Sequence, residues 1–358
     1  MISPIPNAPT ATLFGASTSS SPLIFTQALA LTECTGTFPK LSWSPDGSLL
    51  ASSCGGFQSK DYAIHLWHPD GTLAYLLVGH TQPVTDIAWS PDGKTLASSS
   101  WDETIRLWSS EGKSLKVWRG EAGHVFAVAW SPDGKILASG SIVTVTNPTV
   151  QWWDHNGQNF RTLSTSGSGG KFYNLAWSPD GKYLLGGATD YKVWRADGEQ
   201  IFWRADSVNG TPAWAMAWSP DSKLWAIGNE NGEVSIYTAS GEKVSTVAER
   251  GRGTSSLAWS PDSSVLAGAV TLWHADGTTI KTLYQEPQYA NSVAWSPDGR
   301  ILASGGSDEI VHLWSPTGQP LGDLQGHTAT IEVVTWSPIG NILATTADDA
   351  TIRFWILK

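Results

Sequence analysis

Cysteine is almost absent from this chain of 358 residues: there are two, Cys34 and Cys54. They give neither a disulfide framework nor a CxxC metal spacing. Basic residues are few, 22 Lys and Arg against 32 Asp and Glu, and the formal net charge is −10. Binding a nucleic acid backbone rests on Lys and Arg neutralising phosphates, and no basic run offers that. Nucleic acid is therefore excluded as the expected partner. Long apolar runs are missing too. The stretch Leu23 to Leu31 is too short to span a bilayer. The start, Met1-Ile2-Ser3-Pro4, lacks the basic region of a secretory signal. These features lead us to expect a soluble, cytoplasmic protein without a membrane partner. No segment sustains a helical period. No GxSxG elbow occurs, and the Gly-rich Ser166–Gly170 lacks the Lys-Ser/Thr that completes a phosphate loop.

What the chain has in abundance is tryptophan, 21 residues, and these fall in a repeat. Trp-Ser-Pro begins at Trp43, Trp89, Trp130, Trp177, Trp218, Trp259, Trp295 and Trp336, mostly 41 residues apart. That period fits four-stranded propeller blades. A second anchor follows each first one: Trp67, Trp108, Trp153, Trp194, Tyr237, Trp273, Trp314 and Trp355. Between them lie short β-branched runs such as Thr104-Ile105-Arg106-Leu107-Trp108, bounded by turn residues, which is the grammar of strands. The predicted fold is all-β, a single eight-bladed β-propeller of four-stranded antiparallel blades. We name the strands of a blade a to d from the axis outward.

Turn chemistry supports that reading. In Ser-Pro-Asp-Gly, proline presets φ, aspartate bonds nearby backbone and glycine accepts the left-handed conformation of the a–b hairpin. Blades five and six carry Asp221-Ser222 and Asp262-Ser263 instead, and blade eight has Pro338-Ile339-Gly340. Seven blades place a glycine four residues after the second anchor, from Gly71 to Gly318, which predicts a c–d hairpin of fixed length.

Gly79-His80, Trp89-Ser90-Pro91-Asp92-Gly93, Leu96-Ala97-Ser98, Asp102 and Ile105–Trp108 together resemble one WD repeat. The resemblance covers about residues 25–358. A literal Trp-Asp occurs only at Trp153-Asp154, and Gly-His at the family's spacing only at His80 and His327. Membership implies a buried His–Ser/Thr–Asp–Trp network in two blades. It maps to His80, Ser98, Asp102 and Trp108 in blade two, and to His327, Thr345, Asp349 and Trp355 in blade eight.

Trp355 ends strand c of blade eight, so strand d of that blade must come from elsewhere. Aligned on the segment before Trp89, Phe25–Leu31 falls where a strand d belongs. The N-terminal segment is thus expected to close the last blade and remove an open edge. Residues 1–22, rich in Ser, Pro and Thr, read as a flexible leader ahead of a propeller over 23–358.

The eight histidines do not make a metal site, because no close-spaced His/Cys/Asp cluster accompanies them. The Pro-Asp-Gly aspartates repeat at one turn position and need no cation. No cofactor is expected. Trp152 and Trp225 occupy apolar rows and read as core, whereas Trp118 and Trp203 fall in outer strands where an exposed ring is unremarkable.

Function is expected where the repeats differ. The a–b and c–d turns hold their length. The b–c and d–a connections, on the opposite face, do not: the two anchors stand 24 residues apart in blade one, 17 in blade four and 14 in blade six. Variation on one face of a rigid scaffold marks a binding surface. The position four before the first anchor reads Pro39, Thr85, Phe126, Tyr173, Trp214, Ser255, Asn291, Glu332. In the family this row lies near the channel rim, and three successive blades place an aromatic there. Trp101 precedes the turn aspartate of blade two, and Tyr289 lies two residues from the row. Exposed aromatics over adjacent blades resemble an interaction patch. The expected function is a non-catalytic scaffold binding a protein or peptide through Trp101, Phe126, Tyr173, Trp214 and Tyr289. Two other classes stay open: a quinone-dependent dehydrogenase, since such eight-bladed propellers are also Trp-rich, and a small-molecule or glycan binder.

Overall fold

The computed structural model of the chain describes residues 25–31, 40–53, 62–119, 123–144, 147–164, 172–187, 190–205, 213–249, 253–284 and 290–358. The described residues contain strands and turns and no helix. Thirty-two strands form eight sheets of four, each antiparallel throughout. In blade two the order is Val84–Trp89, Thr95–Ser100, Thr104–Ser109 and Ser114–Arg119, which are strands a to d. Seven blades are continuous in sequence. The eighth takes strands a to c from Ile331–Trp336, Ile342–Ala347 and Ile352–Leu357, and its outer strand from Phe25–Leu31. The closure expected from the sequence is therefore present. Phe25 lies opposite Leu357 in the ladder and sits edge-on to Trp336 at 6.2 Å, 1 % exposed. The expected leader lies outside the described residues.

Blades pack face to face through the tryptophan anchors. Trp67, Trp108, Trp194, Trp273 and Trp355 are at most 2 % exposed. An indole buries about 200 Å², which at about 25 cal/mol per Å² is worth roughly 5 kcal/mol. A net hydrogen bond contributes about 1 kcal/mol. Burial of the rings therefore carries the stability, and their N–H groups set the register between blades. The first-anchor indoles of Trp89, Trp177, Trp218, Trp259, Trp295 and Trp336 each donate to a backbone carbonyl of the preceding blade, at 3.1–3.3 Å. Blades one and eight share a core in which Trp43 meets Phe354 edge-on at 6.0 Å, beside Ile342 and Ile352.

The turns behave as their residues dictate. Gly47, Gly93, Gly134, Gly181 and Gly299 take φ near +70° in the a–b hairpins. Ser222 and Ser263 adopt the same left-handed conformation, at +61° and +64°. Their hydroxyls offset that strain by accepting the N–H of Asp180 and of Asp221 in the preceding blade, at 2.9 and 3.0 Å. In the c–d turn of blade two, a Cβ added to Gly112 would stand 2.7 Å from Tyr75 of blade one, so close packing of neighbours requires glycine there.

Trp152 and Trp225 are fully buried, as their rows imply. Trp203 is half exposed, but Trp118 is not an exposed ring: it is 7 % exposed and stacks on Trp153 of the next blade at 5.6 Å. An outer strand exposes only the side chains that point away from the neighbouring blade, and Trp118 points toward it.

Candidate functional site

The two ends of the blades are distinct. At one end the a–b and c–d turns lie together: the Ser110 N–H donates to Lys94 O at 3.0 Å. At the other the b–c turns meet the d–a connections, with Trp101 N–H donating to Pro83 O at 3.1 Å and Asp348 N–H to Thr330 O at 2.9 Å. The described b–c turns and d–a connections thus share one face.

On that face the row four before the first anchor has a structural cause. Pairing between strands a and b slips by one residue at Val84/Asp86, Val125/Ala127, Ala213/Ala215, Ala290/Ser292 and Ile331/Val333. The residues at these register shifts are Thr85, Phe126, Trp214, Asn291 and Glu332. A bulge releases its residue from the ladder and re-aims the side chain, which frees this position from the core pattern. In blade four, Tyr173 holds the same place, with its N–H on Gly187 O at 3.1 Å.

Aromatic rings from three blades meet there. Trp101 stacks on His124 at 5.4 Å and stands edge-on to Phe126 at 6.3 Å. Phe126 meets Tyr173 edge-on at 5.4 Å. A 2.7 Å hydrogen bond joins the His124 ring to Trp101 O. The structure brings together Trp101, Phe126 and Tyr173 from the expected set and adds His124, six residues before Trp130. The only trace of His124 in the sequence is a Gly-His displaced toward its anchor. The rings of Trp101, Phe126 and Tyr173 are half-buried and not fully exposed as expected, because each leans on a neighbour, whereas His124 is exposed. Trp214 lies in strand a of blade five, Ala213–Trp218, but its side chain falls outside the described residues, as does Tyr289 altogether.

The turn carrying Trp101 is fixed from beneath. Asp102 accepts hydrogen bonds from His80 Nδ1 at 2.8 Å, Thr104 Oγ1 at 2.6 Å, and the N–H groups of Thr81 and Thr104 at 3.0 Å. His80 Nε2 then faces the Ser98 hydroxyl at 2.8 Å, which receives the Trp108 indole N–H at 2.9 Å. Burial opposes ionisation of Asp102, yet the hydrogen bonds from His80 and Thr104 outweigh it and hold the carboxyl far below its ordinary value. Burial lowers the His80 pKa against the pull of Asp102. The relay is therefore a neutral imidazole on a carboxylate. Blade eight repeats it with His327, Asp349, Thr345 and Trp355 at 2.8–3.0 Å. Burial brings the His327 pKa down to about 4, with Asp349 opposing.

Two other blades fill the histidine's place with residues whose roles sequence reasoning missed. In blade seven Tyr284 bonds Ser304 Oγ at 2.7 Å, and Ser304 receives the Trp314 indole N–H at 2.8 Å. His312 in that blade is held between Asp308 at 2.9 Å and Asp323 at 2.6 Å. Burial would lower its pKa, but the two carboxylates raise it. In blade six Glu249 takes the place and accepts the Val270 N–H at 3.0 Å, capping a b–c turn that is unusually short. Burial pushes its carboxyl up to about 7.

Strands a of blades one to four line a cavity of about 470 Å³ in the channel. Its one carboxylate, Asp86, accepts the Val128 N–H at 3.1 Å and stands 4.0 Å from Lys40. Among the described residues no group of three or more His, Cys, Asp or Glu side chains could hold a metal ion.

Residues 109–355 match the family described as IFT122 first beta-propeller. Residues 33–68 and 71–109 match the WD domain, G-beta repeat. No curated protein matches the chain. WD propellers are protein-interaction scaffolds, and the first of these matches spans more than half the chain. With eight blades, both relays and the two family matches in agreement, the chain belongs to the WD-repeat β-propellers, in the family of the IFT122 first beta-propeller.

Proposed function

We propose that the chain is a cytoplasmic, non-catalytic scaffold that binds a protein or peptide on the face of the b–c and d–a connections. The observation that carries this reading is the continuous array Trp101–His124–Phe126–Tyr173, which crosses three blades, with Phe126 at a bulge of its a–b ladder. Aromatic side chains dominate interface hot spots because they bury large areas with few rotatable bonds, and hot spots cluster. A rigid platform beneath them lowers the ordering cost of binding, and the Asp102 relay supplies it for Trp101.

The test compares partner capture from the native cell by the wild type and by Trp101→Ala, Phe126→Ala and Tyr173→Ala, with Lys135→Ala beside an opposite-face turn as control. Each aromatic variant is expected to weaken binding by more than about 1 kcal/mol, a five-fold or larger loss of affinity. Melting temperature is measured alongside. Aromatic variants that bind normally but melt early would make the array channel packing and move the binding face elsewhere.

A further inference from the structure

We propose that the outer strand of blade one is a self-association edge, at which two copies of this chain pair antiparallel about a two-fold axis. The strand, Leu73–Leu77, reads Leu-Ala-Tyr-Leu-Leu and is followed by Val78. Leu73, Tyr75, Leu76 and Val78 are 40 %, 41 %, 48 % and 71 % exposed. On the adjacent outer strand of blade two, Leu115 and Val117 are each about half exposed. Six apolar side chains thus crowd one sector of the rim.

An outer strand carries a row of backbone groups that its own sheet leaves unpaired, and proteins blunt such edges with charge or proline. This propeller does so in six blades. Its outer strands hold Lys116 and Arg119, Arg161, Arg204, Lys243, Lys281, and Pro320 with Asp323, from blade two to blade seven in turn. Blade one has neither device. The outer strand of blade eight, Phe25–Leu31, is uncharged as well and stands beside it in the ring. The two unblunted edges are therefore neighbours.

A second copy is the occupant that this surface fits. An uncharged strand offers a charged partner no counter-charge, whereas antiparallel pairing of the strand with itself is self-complementary about a two-fold axis. An apolar patch of this kind covers about 300–600 Å², so two copies bury on the order of 1,000 Å², the low end of specific interfaces. A reversible dimer in the micromolar range follows. Each chain carries a formal charge of −10, so the two copies repel one another at long range. Salt screens that repulsion and tightens the pair.

Sedimentation velocity of the full chain from about 1 to 200 µM, at low and high salt, tests the proposal. The expected result is a concentration-dependent dimer that salt strengthens. Val78→Lys and Leu76→Lys should each raise the dissociation constant about ten-fold or more, while Trp203→Lys on the outer strand of blade four leaves it unchanged. Circular dichroism confirms folding; at 71 % exposure Val78 gives the safer variant. Amides of residues 73–78 should gain exchange protection with concentration. A monomer at every concentration, a dimer indifferent to both Lys variants, or protection confined to 25–31 would each overturn it.

Discussion

Replacing Asp102 with alanine tests the link between the buried relay and the proposed binding face. Four donors converge on its carboxylate. Thr81 is exposed, so water can take over its N–H at little cost. His80 is 7 % exposed, and without Asp102 its Nδ1 retains only Thr104 Oγ1 at 3.3 Å. One stranded buried donor costs about 1–3 kcal/mol, and a lost hydrogen bond to a charged acceptor lies at the upper end of that range. The expected destabilisation is therefore about 2–3 kcal/mol. Asp276 is the control: it accepts from the Thr278 N–H at 2.8 Å and Oγ1 at 2.7 Å in an exposed turn, so its removal should leave the midpoint almost unchanged. Urea midpoints at pH 7 for the two alanine variants read the difference directly. Asp102→Ala should also lose near-ultraviolet circular dichroism, because the Trp101 turn loses its anchor. If Asp276→Ala proves equally damaging, or if Asp102→Ala unfolds at the wild-type midpoint, the relay does not hold this turn.

Two further outcomes follow from the structure. Glu249 has a folded pKa of about 7 against 4.5 for the free side chain, so its stabilising contribution is complete below pH 4.5 and is lost as pH rises to about 7. Glu249→Gln, which stays neutral, should therefore gain up to about 3 kcal/mol over the wild type at pH 8 and almost nothing at pH 4.5; thermal melts at both values check this. Deleting residues 1–31 removes the outer strand of blade eight and the buried Phe25, and should open the edge of Ile352–Leu357. Light scattering is expected to show aggregation at concentrations where the full chain stays clear.

The ring was legible because it is written eight times. Each blade repeats two anchors, and the hairpin turns that follow them keep their offsets, so departures in one copy could be judged against the others. Closure was legible from arithmetic, since Trp355 left blade eight one strand short. Less legible were side chains whose environment depends on a neighbouring blade. Trp118 lies in an outer strand, yet its burial is decided by Trp153 across the gap. The aromatic row was readable as a position, but the half-burial of its rings comes from Trp101, His124, Phe126 and Tyr173 touching one another. No single repeat contains that information.

The relay blades and the divergent blades follow one physical rule. A buried indole N–H needs an acceptor, and that acceptor's own hydroxyl needs a partner. Where the histidine is present, Ser98 or Thr345 completes the chain to a turn carboxylate. Blade seven lacks the histidine, and Tyr284 reaches Ser304 from the preceding connection. Blade five replaces the tryptophan itself with Tyr237, whose hydroxyl receives Arg204 Nη1 at 3.0 Å and meets Tyr191 Oη at 3.2 Å. The proposed binding site lies where this rule leaves freedom. The relay in blade two fixes the b–c turn, while Phe126 stands at a bulge of the a–b ladder and meets Tyr173 of blade four edge-on at 5.4 Å. Blade two therefore supplies the rigid edge of the array, and blades three and four supply the rings that can differ without unfolding the ring. That division explains why the face most variable in length is also the one where aromatic side chains gather.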